Sequence, residues 1–141
     1  MKPYRKAYVL IAHGSRAKES GEAFRAFTRQ FQTLYPKRRV VGAFLDLEKP
    51  DVPEALEICA ADKVHEIVIV PLMLFPGRHV KTDIPVLISK FNAGHPEIAI
   101  HYAGPLADNK ILLRLVCSQA GRTPVRKLKR AGRKSDAVPG I

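Results

Sequence analysis

Glu66-Ile67-Val68-Ile69-Val70-Pro71-Leu72-Met73-Leu74 is the most hydrophobic stretch of the chain, and the loop Phe75-Pro76-Gly77-Arg78-His79 follows it. The apolar run reads as a central β-strand covered on both faces, as strands of parallel sheets are. Pro71 must then lie near its end, because proline has no N–H to donate to a ladder. Upstream, Ala7–Ala12 (AYVLIA) is a shorter run of the same kind, stopped by His13-Gly14-Ser15-Arg16. Between the two, Val40–Leu47 (VVGAFLDL) reads as a strand, and Ile98–Ala103 makes a fourth beyond them.

The intervening segments carry helical spacing. Residues 17–35 place Ala23, Phe24, Phe27, Phe31 and Leu34 on one side and stop at Pro36. Asp51 is placed to cap a helix with Pro53 in its first turn and Glu54 three residues on, a capping-box pattern. Thr82/Asp83 are read as opening a third helix with Pro85 in its first turn, and Asp108 as capping a fourth that runs to about Gln119. Strand and helix thus alternate four times. The expected fold is α/β: three layers, with a four-stranded, mainly parallel sheet, flanking helices and right-handed crossovers.

The whole chain has 141 residues, 46% of them apolar and 26% charged, which fits one domain and excludes wholesale disorder. Its apolar runs fall short of the roughly 18 residues of a membrane span, and the N-terminal stretch lacks the uninterrupted apolar core of a signal peptide; the expected location is the cytoplasm. Cys59 and Cys117 are read as buried, reduced thiols, and neither has a cysteine partner at zinc-ligand spacing. The formal charge of +11 is unevenly spread: residues 122–141 carry +6 and residues 1–121 carry +5. The expected organisation is an α/β domain over residues 1–121 and a basic, mobile tail over 122–141. Such a tail either binds nucleic acid nonspecifically or simply solubilises, and the solubilising reading is preferred. The positive domain would attract a polyanionic ligand.

In parallel α/β sheets, ligands bind outside the carboxyl ends of the strands. The first strand delivers His13 there, the second Asp46 and Glu48, and the third the loop Phe75–His79. Two imidazoles and one or two carboxylates on one rim suit a first-row divalent metal with open coordination positions, and imidazole is also the usual proton acceptor near neutral pH. The Gly14-Ser15-Arg16 turn can hold an anion on its N–H groups or be a simple cap by Ser15. Arg16 and Arg78 can pair with ligand carboxylates or with surface acids. Asp83 is preferred as a helix cap over a ligand. His65, His95 and His101 are preferred as structural, with His101 the one that can approach the rim.

His13-Gly14-Ser15-Arg16, the segment Ala43-Phe44-Leu45-Asp46-Leu47-Glu48-Lys49-Pro50, and the long motif Pro71–Pro85 (PLMLFPGRHVKTDIP) together resemble the small CbiX/SirB sirohydrochlorin chelatases over about residues 6–118. The resemblance implies a chelatase that inserts Co²⁺, Fe²⁺ or Ni²⁺, with Co²⁺ the expected ion, into sirohydrochlorin, a polycarboxylate tetrapyrrole, for cobalamin or sirohaem synthesis. It implies that His13 and His79 hold the metal and accept the pyrrole protons. Asp46, Leu74, Phe75, Pro76, Gly77, Arg78 and Arg16 would contact the macrocycle. The family usually carries Glu where this chain has Asp46, one methylene shorter, and Glu48 is the alternative carboxylate. The metal is substrate, no cofactor is expected to be tightly bound, and a single-domain chain is expected to pair as a homodimer. A metal or tetrapyrrole carrier without turnover and a tail-driven nucleic-acid binder are the competing readings.

Overall fold

The computed structural model describes residues 4–121, so the expected basic tail 122–141 lies outside the described residues. Lys6–Ala12 forms the first strand (β1), followed by helix α1 (Lys18–Leu34), strand β2 (Arg39–Phe44) and helix α2 (Val52–Ala61). Strand β3 (Glu66–Pro71) leads through an exposed loop to a π-helical turn, His79–Asp83, that runs directly into helix α3 (Ile84–Gly94). Strand β4 (Ala99–Tyr102), a 3₁₀ turn (Leu106–Asp108) and helix α4 (Lys110–Gln119) complete the described chain. All neighbouring strands are parallel and the order is β2-β1-β3-β4.

That order places the functional rim. β1 and β3 are adjacent in the sheet, yet their onward connections leave in opposite directions, to β2 and to β4. The connections also leave on opposite faces. Phe24 of α1 packs on Leu10 and Phe44 on one face, while α2 and α3 pack Leu56, Cys59, Ile84 and Phe91 against Val9, Ile11, Ile67 and Ile69 on the other. Where neighbouring strands send their connections apart, a crevice opens at their carboxyl ends, and ligands of such sheets bind there.

Pro71 closes β3, as its missing N–H requires. The β3 expectation needs one correction, because the described residues do not cover the strand on both faces. Ile67, Ile69 and Pro71 are buried against α2 and α3, whereas Val68 and Val70 on the α1 side are only half-buried. α1 serves the β1–β2 half of that face, and α4 does not cover the rest, since none of its residues is buried. For the same reason Cys117 on α4 is only partly buried, while Cys59 is fully buried; both are free thiols.

The caps follow local chemistry. Asp51 Oδ1 accepts the Glu54 N–H at 2.9 Å and Glu54 Oε2 accepts the Asp51 N–H at 2.9 Å, the reciprocal pair the sequence predicts at the start of α2. Two other expected caps are corrected. Asn109, not Asp108, caps α4, accepting the Ile111 N–H at 2.9 Å. Asp108 closes the preceding 3₁₀ turn. Asp83 caps nothing, because helical geometry already begins at His79, and its carboxylate is engaged elsewhere.

Candidate functional site

The β1 and β2 ends are laced together beyond the sheet proper. Leu45 N–H donates to Ala12 O and Asp46 N–H to His13 O, each at 3.0 Å, so the backbone of His13 is held by the loop that follows β2. Gly14 adopts φ +91° with its Cα pressed against the Asp46 carbonyl; a Cβ there would collide with that oxygen. Glycine is required by both facts at once. The chain then turns so that Ser15 N–H donates to Glu48 Oε2 at 3.2 Å and Ser15 Oγ accepts the Ala17 N–H at 3.0 Å.

Glu48 therefore fills the anion position that the Gly14-Ser15-Arg16 turn offers. Its other oxygen, Oε1, takes Arg25 Nη2 at 3.1 Å, and its side chain is largely buried. Glu48 is thereby committed to bracing the loop rather than to the rim. Asp46 is exposed, and its Oδ1 accepts the Leu47 N–H at 2.8 Å. Leu47 sits at the centre of a three-residue turn closed by Glu48 N–H to Asp46 O at 2.8 Å, with φ +66°. A non-glycine residue in that region costs on the order of 1–3 kcal/mol and persists only where the surroundings over-determine it.

The third strand delivers its loop in two parts. Met73 is buried, and the Met73 and Leu74 carbonyls accept N–H groups of Leu106 and Ala107 at 2.9 and 2.8 Å, fastening the loop base to the 3₁₀ turn. From Leu74 to Arg78 every residue is exposed, Phe75 to 71%. His79 then opens the π turn, whose wide geometry is seen in its carbonyl accepting from the Ile84 N–H. Such turns recur at functional sites, where they re-aim side chains. Tyr102 on β4 pins the turn, its hydroxyl donating to the Val80 carbonyl at 2.8 Å; partial burial pushes the Tyr102 phenol upward.

The two loops meet at the imidazoles. The His13 and His79 rings lie edge to face, with centroids 4.7 Å apart and an interplanar angle of 83°. Both residues are exposed. His79 Nδ1 lies 2.8 Å from Asp83 Oδ2. An ionised carboxylate only accepts, so Nδ1 is the donor of this bond when Asp83 is ionised, and in the neutral ring Nε2 then carries the lone pair. Rings this close can both aim a nitrogen at one ion at about 2 Å each. Among the described residues no group of three or more His, Cys, Asp or Glu side chains could hold a metal ion.

The remaining candidates fall into place around them. Arg78 is exposed, with Nε 3.6 Å from Asp83 Oδ1, and Arg16 is exposed at the turn before α1. Nothing crowds Gly77, and Pro76 is exposed beside it. His101 does not reach the rim: it pairs with Val68 in mid-strand and lies 3.5 Å from Glu66 at the start of β3. His95 is structural, stacked on Phe91 and bonded through Nε2 to Glu57 at 3.2 Å. A shallow groove lined by Lys49, Pro53, Glu57 and Ile58 runs along α2 and includes neither rim imidazole.

Sequence reasoning missed three contributors. The sequence presents Asp83 as a cap, although its spacing of four from His79 on a helical segment is also the pattern of a facing pair. Leu47 carries no signal, since leucine does not advertise positive φ. Tyr102 reaches the site through tertiary packing alone.

Fold and rim together define a class: a parallel α/β domain that presents two exposed imidazoles at the crevice between its central strands. The chain belongs to the CbiX family, whose model matches residues 7–123. It is 33% identical over 110 residues to the chloroplastic sirohydrochlorin ferrochelatase of Arabidopsis thaliana, covering 77% of this chain and 48% of that protein. It is 34% identical over 113 residues to the sirohydrochlorin cobaltochelatase of Saccharolobus islandicus strain L.S.2.15, covering 73% of this chain and 84% of the other. The sirohydrochlorin chelatase SirB of Bacillus subtilis subspecies spizizenii, solved in complex with cobalt, superposes with a TM-score of 0.76 at 26% identity, over 83% of this chain and 50% of SirB. The chain thus spans about half the length of the plant and Bacillus proteins and most of the archaeal one.

Proposed function

We propose that this protein is a sirohydrochlorin chelatase acting in cobalamin or sirohaem synthesis, with Co²⁺ as its ion and the cytoplasm as its compartment. The observation that carries the reading is the His13–His79 pair, exposed and edge to face at 4.7 Å between the ends of β1 and β3. Support for the substrate comes from the relatives' names, and support for cobalt from the archaeal relative named a cobaltochelatase. Affinity order alone favours Ni²⁺ over Co²⁺ and Fe²⁺ at such a site, so cobalt is assigned from the relative's name rather than from affinity.

The residues suit the chemistry. Inserting a divalent ion into a free-base tetrapyrrole exchanges its water and imidazole bonds for ring nitrogens and releases two pyrrole protons. Two imidazoles hold the ion with most positions open, so it can pass on to the ring rather than be trapped. As the ion departs, the same two lone pairs become free to accept the two protons. Asp83, bonded to His79 Nδ1, keeps Nε2 turned outward for both tasks. Arg16 and Arg78 face a polycarboxylate rim, where bidentate guanidinium–carboxylate bonds give orientation.

The working unit is proposed to be a homodimer, and the surface that supports it is α4. Ile111, Leu113, Leu115 and Val116 are each more than half exposed, and no residue of the helix is buried. On the same chain, Val68 and Val70 on β3 are half-buried on a face of the sheet where, among the described residues, no helix covers β3. The Leu106 and Ala107 bonds to Met73 and Leu74 tie the segment before α4 to the rim loop. A helix and a flank that each need an apolar partner are satisfied reciprocally by a second copy, as a two-fold interface demands. Leu115→Glu is expected to shift the protein from dimer to monomer in sedimentation; an unchanged dimer, or a monomeric wild type, overturns this assignment.

The activity is tested by following sirohydrochlorin absorbance after adding Co²⁺, with and without the full-length protein. Acceleration that disappears in both His13→Ala and His79→Ala supports the reading. Stoichiometric binding without acceleration identifies a carrier instead, and salt-sensitive nucleic-acid binding lost with residues 122–141 identifies a nucleic-acid protein.

A further inference from the structure

Leu47 combines a strained backbone with an exposed apolar side chain. Its backbone occupies the left-handed region at φ +66°, where glycine or asparagine would sit without penalty, and its side chain is 58% exposed. Among the described residues, neighbours bury less than half of its side chain, so its apolar surface has room for a partner.

The turn that imposes this conformation is braced from every side. The Asp46 carbonyl lies against Gly14 and accepts the Glu48 N–H, the Asp46 N–H is bonded to the His13 carbonyl, and Asp46 Oδ1 holds the Leu47 N–H itself. Glu48 on the far side is fixed by Ser15 N–H and Arg25. Two of these bonds lie within the Asp46–Glu48 turn itself, and the others come from His13-Gly14-Ser15 or from Arg25 on the helix that loop feeds. The conformation of Leu47 is therefore coupled directly to the loop that carries one of the two imidazoles. Strained, over-determined positions of this kind collect at ligand clamps.

The same rim exposes Leu74 and Phe75 from the loop that carries the other imidazole. Exposed apolar residues thus follow both β2 and β3 at the carboxyl ends of the sheet, in loops that hold or carry the two histidines. We propose that Leu47 is a binding contact for the flat face of the tetrapyrrole, the counterpart of Phe75 on the loop after β3, and that macrocycle binding provides the burial its side chain lacks. The proposal rests on the chelatase reading and adds a specificity-determining residue to it.

Three substitutions test it. Leu47→Gly and Leu47→Asn relieve the backbone while removing the apolar surface. Each is expected to melt at or above the wild-type temperature, to bind Co²⁺ alone with unchanged affinity, and to show a KM for sirohydrochlorin raised at least fivefold with kcat changed less than twofold. Leu47→Met, which restores apolar reach, is expected to return KM to within twofold of wild type. A melting temperature well below wild type for both relieved variants shows that Leu47 serves the fold, and an unchanged KM shows that it does not touch the macrocycle; either result overturns the proposal. A wild-type protein that neither binds nor metallates sirohydrochlorin overturns the chelatase reading itself and this contact with it.

Discussion

His79 Nδ1 stands 2.8 Å from Asp83 Oδ2, one turn further along the same helical segment. With Asp83 ionised, the bond makes Nδ1 the donor and orients the ring. It also spends Asp83, which makes no capping bond to α3. Removing the carboxylate leaves the ring free to change tautomer and to rotate. Asp83→Ala is expected to weaken Co²⁺ binding roughly 10- to 100-fold, with the far-ultraviolet dichroism unaltered. Calorimetric titration with Co²⁺ checks this. Affinity unchanged in Asp83→Ala would show that the carboxylate does not position the ligand.

Gly14 and Gly77 flank the two imidazoles and face opposite tests. A methyl at position 14 meets the Asp46 carbonyl and must also adopt φ +91°, whereas a methyl at position 77 meets open space. Positive φ alone costs a non-glycine residue about 1–3 kcal/mol, and about 1 kcal/mol moves the melting point of a domain this size by some 3–5 °C. Gly14→Ala is expected to lower the melting temperature by at least about 3 °C on that scale, and to reduce chelatase turnover because the His13 backbone is displaced. Gly77→Ala is expected to melt with wild type. Equal melting points for the two variants would show that the Asp46 contact is not a close one.

Much of this was legible in the residues. Strand-then-loop punctuation at His13 and at Pro76-Gly77 predicted which side chains arrive at the carboxyl rim, and Asp51 with Glu54 announced a capping box that is present. Local chemistry governs both, so the chain shows them directly. What the sequence could not display depends on how elements meet. The adjacency of β1 and β3, which brings residues 13 and 79 together, is a property of strand order. The half-open side of β3 was unreadable because Val68 and Val70 look the same whether or not a helix covers them. Asp83 was misread because a Thr-Asp-x-Pro start is a good helix signal, and only the π turn beginning at His79 shows that the helix was already under way.

The capping box at α2 links stability to acid pH. Asp51 is held below the usual carboxylate range first by its bond from the Lys49 ammonium and then by the Glu54 N–H; Glu54 is held low first by the Asp51 N–H and then by Lys49. Carboxyls lowered in the fold contribute stability above their unfolded values, near pH 4, and lose it as pH falls through the folded ones. Asp51→Ala is expected to cost about 1 kcal/mol near neutrality. The wild-type and variant denaturation curves should converge as pH drops below about 4. Parallel curves at pH 7 and pH 3 would show that the cap contributes nothing that titrates.

The two thiols report on the fold and on the α4 surface together. Burial pushes the Cys59 thiol up to about 12, so at pH 8 it is neutral and out of reach. Its neutral form is the one the fold favours; that contribution is complete below the unfolded thiol value and fades as pH rises toward 12. Cys117 is partly exposed on a helix with no buried residue. An aromatic disulfide reagent at pH 8 is expected to consume one thiol per chain quickly and the second only after denaturant is added. If two copies cover each other's α4, the fast reaction at Cys117 should slow as protein concentration is raised through the dimer dissociation range, and Leu115→Glu should restore the fast rate at every concentration. Rapid reaction of Cys59 in the native protein would contradict its burial in the core. A Cys117 rate independent of concentration, in a protein that sediments as a dimer, would place the interface on some other face.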